Sequence, residues 1–174
     1  IHEIGHTLHW PHSYIGPDWE YDNPVDIMSG SPDAGFDGTL DDYCPARGGG
    51  FIWCKPQHTL AFNRLASGWM SGRQVAIHRS GNVNYTLGAP ASTGLQMVAM
   101  PDPAAPLSSL VIEARPAIGY DRYNEVAGVA VHLVDQGSGS LSEVSVNRRH
   151  RQATGASDTY EHVLEVGDSL SISG

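Results

Sequence analysis

At 174 residues with 40% hydrophobic content, the chain has room for one domain of ordinary size, or one and a small second, around a buried core; this excludes a disordered or fibrous polymer. Nineteen Asp and Glu against ten Lys and Arg give a formal charge of −9, so the summed field repels phosphate backbones and anionic lipid and speaks against a nucleic-acid partner. No apolar run reaches the roughly 18 residues needed to span a bilayer, and twenty Gly and eleven Pro interrupt the chain too often for a helical bundle.

Starting at Ile1 and already inside a motif at residue 2, the sequence reads as a piece of a longer precursor. Residues 1–9 read as the end of a helix, which Pro11 stops because the residue before a proline avoids the α region. From Pro11 to Pro56 no period survives for long, and Gly, Pro, Asp and Asn recur every few residues, as in loops. Residues 56–67 form the next expected helix. Leu60, Ala61, Leu65 and Ala66 share one face, Pro56 suits the first turn, and Gly68 is the expected C-terminal stop.

After residue 70 the pattern changes to short β-branched runs bounded by Gly, Pro and Asn. Strands are expected over 74–78, 83–87, 95–100, 109–114, 126–134, 141–146, 162–166 and 169–173, an all-β half best read as a sandwich. The boundary near Ser71 is a change of period and not a linker, so the two halves are expected to pack on each other. Cys44 and Cys54, separated by nine residues, suit a short-loop disulfide in an oxidising compartment, with two free thiols as the alternative. Arg148, Arg149, His150 and Arg151 read as a solvated loop between strands.

Charge and histidine are concentrated at the amino end. Nine acidic residues precede the first basic one, Arg47, and four of the nine histidines fall in the first twelve positions. His2-Glu3-Ile4-Gly5-His6 has the pattern H-E-x-x-H, in which residues four apart project from one helical face and both imidazoles can reach one metal ion. Glu3 lies beside them as the candidate general base. His12, just past the Pro11 break, can approach the same ion from another direction, and three imidazoles are a typical catalytic zinc set. His9 is the rival third ligand, but ligands at 2, 6 and 9 on one straight helix would stand nearly in line, at a rise of about 1.5 Å per residue. His12 is therefore preferred, and His9 reads as a surface histidine or as one that supports the ligands from behind.

The spacing of His2, His6 and His12 resembles the metzincin signature H-E-x-x-H-x-x-G-x-x-H, with His9 standing where that family has glycine. Such a glycine commonly turns out of the helix with positive φ, a conformation that histidine tolerates better than most residues. Asp26-Ile27-Met28-Ser29-Gly30 resembles the metzincin Met-turn, whose methionine sits beneath the metal-binding histidines. Residues 60–69 (LAFNRLASGW) and 110–135 (LVIEARPAIGYDRYNEVAGVAVHLVD) resemble segments of the gametolysin and immune inhibitor A types of secreted peptidase. Within the second segment, Glu113 and Arg115 read as an exposed or cross-strand ion pair without a catalytic role.

The resemblance implies an α+β architecture: residues 1–70 as the C-terminal part of a zinc metallopeptidase catalytic domain, and residues 71–174 as a β-rich accessory region. It further implies a secreted zinc-dependent endopeptidase acting on a protein or peptide substrate, with His2, His6 and His12 holding one Zn²⁺ and Glu3 as general base. The carboxylates between Asp18 and Asp42 can hold structural Ca²⁺ or form a solvated acidic face. The alternative from another class is a non-catalytic secreted binding module with a vestigial metal site, which His9 in place of glycine favours.

Overall fold

The computed structural model describes residues 2–14, 26–28, 46–47, 51–52, 58–123, 127–136, 143–146, 149–151, 159–161 and 164. In chain order these form helix α1 (His2–Thr7), strands β1 (Ser13–Tyr14), β2 (Ala46–Arg47) and β3 (Phe51–Ile52), helix α2 (Ala61–Ala66), and strands β4 (Val75–Ile77), β5 (Met97–Pro101), β6 (Ser108–Arg115), β7 (Gly128–Asp135), β8 (Glu143–Val146), β9 (Arg149–Arg151) and β10 (Thr159–Glu161). Both helices are short, and none among the described residues is long and apolar enough to cross a membrane.

The centre is a four-stranded mixed sheet in the order β4-β5-β6-β7, in which β4 runs parallel to β5 and the other neighbours are antiparallel. Beyond β7 the order continues through antiparallel β8 to β1, which lies parallel to β8. The pairs β2-β3 and β9-β10 stand as separate two-stranded ladders. The longest strands are β6 and β7, and their apolar residues (Leu110, Val111, Ile112, Val129, Val131, Val134) fit a pleated surface with one face packed.

Period two decides which residues meet α2. Cross-strand partners Ala99, Val111 and His132, and likewise Glu113 and Ala130, fall on one face of the sheet. Leu60, Ala61 and Met70 from the helical segment share a core with Met97, Ala99, Val111, Ala130 and Val134, so α2 packs against the β-rich half. Among the described residues this face is covered by a helix and not by the second sheet that a sandwich requires.

Several expectations are corrected. Residues 83–87 form no strand. Because β4 and β5 are parallel, the chain must cross from one end of the sheet to the other between them, and 83–87 belong to that connection; it turns back where the Gly88 N–H bonds the Leu95 carbonyl at 2.7 Å. The second helix begins later than residue 56, at Ala61, because Leu60 is extended (φ −57°, ψ 150°) and the carbonyls of His58 and Thr59 are taken by Arg115. Arg149–Arg151 form β9 where a loop was expected. Of the last two expected strands only Leu164 is described, bridged to Val129. Cys44, Cys54 and the strand over 169–173 lie outside the described residues.

Glu113 and Arg115 form an ion pair, but they are buried and sit two apart on the same strand, because period two turns both toward α2. The Glu113 carboxylate accepts the Ala61 N–H at 3.0 Å, satisfying a donor that the first turn of α2 leaves open, and it pairs with Arg64 at 3.0 Å and Arg115 at 3.4 Å. Arg115 reaches on to Asp121 at 3.2 Å and to the His58 carbonyl at 2.8 Å. Two carboxylates thus face two guanidinium groups. Burial pushes the Glu113 carboxyl upward, but the charges of Arg115 and Arg64 and the Ala61 amide outweigh it and hold the group below its ordinary range. At Asp121 burial wins over Arg115, and its pKa is raised.

Removing one member of such a cluster strands the others. Glu113→Ala leaves two buried cations against one carboxylate and removes the α2 cap, and a loss of about 3–5 kcal/mol in urea unfolding is expected. His132 gives a second prediction. Burial lowers its pKa to about 4 from an ordinary 6.5, so the folded state keeps it neutral while the unfolded chain takes up a proton. Its stabilising contribution is complete above pH 6.5 and fades as pH falls toward 4. Unfolding curves across this window should lose stability in wild type by up to about 3 kcal/mol more than in His132→Leu.

Candidate metal centre

Helix α1 ends in a tight turn that determines where the histidines point. The Trp10 N–H bonds the Gly5 carbonyl and the His9 N–H bonds the His6 carbonyl, both at 3.0 Å, which is a Schellman ending with His9 as the left-handed residue. His9 has φ 60°, so a histidine takes the conformation expected of the glycine at this position, and its side chain is exposed. The chain then passes through buried Pro11 to half-buried His12, which is followed at once by β1, locked to β8 through Ser13 opposite Val144.

That path brings His12 back to α1. His12 Nε2 lies 2.9 Å from His6 Nε2, with ring centroids 4.7 Å apart and planes at 60°. On its other side the His6 ring reaches the Trp10 carbonyl, 3.3 Å from Nδ1; a carbonyl only accepts, so Nδ1 carries the proton and the Nε2 lone pair faces His12. A carbonyl behind the imidazole is the usual support of a metal-ligating histidine. Two nitrogens bound to one tetrahedral zinc stand about 3.3 Å apart from bond lengths of about 2.05 Å, within a few tenths of an ångström of the observed separation. The pair therefore fits zinc in donor type and spacing, and His6 fits it in tautomer as well.

The backbone of His2 lies in α1, and its side chain is outside the described residues. Glu3 is exposed in the first turn. Among the described residues no group of three His, Cys, Asp or Glu side chains is gathered closely enough to hold a metal; of the three histidines expected to do so, the described side chains are those of His6 and His12. Met28 is fully buried against α1, where a Cβ added to Gly5 would overlap its Sδ and come within 2.8 Å of Trp10 Cε3. Ser29 and Gly30 are outside the described residues. Of the acidic run Asp18 to Asp42 only Asp26 is described, buried and accepting the Thr59 hydroxyl at 3.1 Å. Burial raises its pKa against the opposing influence of Ser13, the Met28 backbone, Arg115 and Thr59.

Several supporting residues escaped the sequence reading. Gly5 makes room for Met28, and its signal was a glycine inside a helical motif, which usually has a packing reason. Trp10 packs edge-to-face on Trp69 (5.0 Å, 81°) and donates its indole N–H to the Ser67 hydroxyl at 2.5 Å. Asp26 and Thr59 join the Met28 segment to the start of α2, with Asn63 donating to Thr59 at 2.9 Å.

In comparisons with known proteins, no family model, no curated protein and no solved structure matches this chain.

The strained turn yields a prediction of unusual sign. A left-handed conformation costs a residue with a Cβ about 1–2 kcal/mol, somewhat less for histidine, and the exposed His9 side chain returns little packing. His9→Gly should therefore leave stability unchanged or raise it by up to about 1 kcal/mol in thermal unfolding, against the usual direction for glycine substitutions.

Proposed function

We propose that the chain belongs to a secreted zinc-dependent endopeptidase in which His2, His6 and His12 hold one Zn²⁺ and Glu3 is the general base. The observation that carries this reading is the convergence of His6 Nε2 and His12 Nε2 at 2.9 Å, one from the H-E-x-x-H helix and one from the segment past the turn. When bound, the metal supplies Lewis-acid polarisation of a peptide carbonyl and lowers the pKa of a water.

The residues of the chain supply the rest. Glu3 accepts a proton from the attacking water and returns it to the leaving amine, acting as base and then as acid in one turnover. Its exposed position on the first turn of α1 leaves it accessible to a substrate. The Trp10 carbonyl holds the His6 tautomer, and Met28 supports the helix from below at Gly5. The substrate class is a protein or peptide.

The rival reading, a non-catalytic binding module with a vestigial site, drew its support from His9 in place of glycine. His9 has the positive φ that this turn needs, and both closing hydrogen bonds are present, so that feature does not favour the rival. Elemental analysis separates the two together with hydrolysis of an unfolded protein. One zinc per chain is expected in wild type and His9→Ala and should be lost in His12→Ala, while Glu3→Gln should keep zinc and lose at least about a hundredfold in rate, the lower range for removing a general base. Zinc without cleavage in wild type would turn the reading to the binding module; zinc lost in His9→Ala and kept in His12→Ala would overturn the ligand assignment.

A further inference from the structure

We infer that Ser67 and Trp69, beyond the last turn of α2, are positioning residues for the His6 imidazole, acting through Trp10; the inference rests on the zinc reading of His6 and His12. The two helices end in the same way. In α1 the left-handed residue is His9 (φ 60°) and the next is Trp10; in α2 it is Gly68 (φ 73°) and the next is Trp69. Each tryptophan N–H returns to a carbonyl five residues back, Trp10 to Gly5 and Trp69 to Arg64, at 3.0 and 2.9 Å. The matching geometry projects the two indoles toward each other, and they meet edge-to-face at 5.0 Å.

Trp10 is held from three sides. Its backbone N–H is fixed on Gly5, its buried ring lies against Trp69 and beside Gly5, and its indole N–H is donated to Ser67 Oγ at 2.5 Å. These contacts fix the backbone N–H, the Cα and the ring of Trp10, and the carbonyl carried on that Cα is the group that His6 Nδ1 addresses at 3.3 Å. Release of the indole would let the Trp10 Cα shift and its carbonyl with it, and so free the imidazole to present the other tautomer, with Nε2 protonated. An imidazole protonated at Nε2 offers no lone pair on the side facing His12. Ser67 itself cannot drift, because α2 is fixed at its other end by Glu113, which accepts the Ala61 N–H and pairs with Arg64.

The test uses Co²⁺ as a spectroscopic probe, with nitrogen-15 NMR of the histidine rings as a readout independent of metal. Ser67→Ala and Trp10→Phe each remove one partner of the indole–hydroxyl bond, and Ser67→Thr keeps the hydroxyl. Wild type is expected to bind Co²⁺ with a signal lost in His6→Ala. Ser67→Ala and Trp10→Phe should weaken Co²⁺ binding about tenfold or more and shift His6 toward the Nε2-protonated tautomer, and Ser67→Thr should restore both. Folded Ser67→Ala and Trp10→Phe proteins with wild-type affinity and an unchanged His6 tautomer would overturn the positioning role while leaving the zinc reading intact. A folded wild type that binds no Co²⁺ would count against the zinc reading instead, and the tautomer shift alone would then support or overturn the role of Ser67.

Discussion

The carboxylate of Glu113 sits where the sheet, the helix and two buried cations meet. Helix α2 has six residues, too few to hold together without outside help, since an isolated helix of that length does not recover its nucleation cost. Its first residue outside the helix, Leu60, offers no side-chain cap, and Glu113 supplies the missing acceptor from a strand. The same carboxylate draws Arg64 down onto the sheet and stands beside Arg115. Such a cluster is tolerable in a buried layer only because its formal charges cancel, with Asp121 completing two negative against two positive. Arg115 extends the tie by occupying the carbonyls of His58 and Thr59, which sets where α2 is able to start.

With its start fixed in this way, α2 acts as a crosspiece between the sheet and the candidate centre. At its leading end Thr59 binds Asp26, two residues before Met28, and Met28 fills the space under Gly5. At its trailing end Ser67 and Trp69 hold Trp10, four residues past His6. Both segments that shape α1 are thus referenced to one helix, and His12 is referenced to the sheet directly through β1. His6 and His12 sit on a short helix and the irregular chain after it, and their mutual placement comes from these distant anchors.

The sequence made some of this legible and hid the rest for identifiable reasons. Spacing along a helix and a proline break are local, so the convergence of His6 and His12 and the stop at Gly68 could be anticipated from the chain alone. Strand identity in the central sheet followed from β-branched alternation, which reports packing on one face. The alternation around Val83 and Tyr85 carried the same signal without becoming a strand, because parallel pairing of β4 with β5 is a non-local fact that turns the intervening residues into a crossover. Glu113 and Arg115 were read as an exposed or cross-strand ion pair because charged residues in a strand are mostly exposed. Their burial depends on a helix fifty residues away, to which no local pattern points.

The distribution of glycine around α1 follows from two different demands. At position 5 the demand is for space: Met28 and Trp10 occupy the volume a Cβ would need, and a helical conformation by itself would favour almost any other residue. At position 9 the demand is for conformation, because the turn out of the helix needs positive φ, while the side chain is exposed. A missing volume cannot be supplied by a larger residue, whereas a positive φ costs a tolerant residue only a fraction of the stability of a domain. A larger residue at 5 therefore displaces Met28 and presses on Trp10, whereas glycine is replaceable at 9. A histidine at 9 thus departs from the expected pattern at the position where the geometry best absorbs the change, and the path that returns His12 to His6 is preserved.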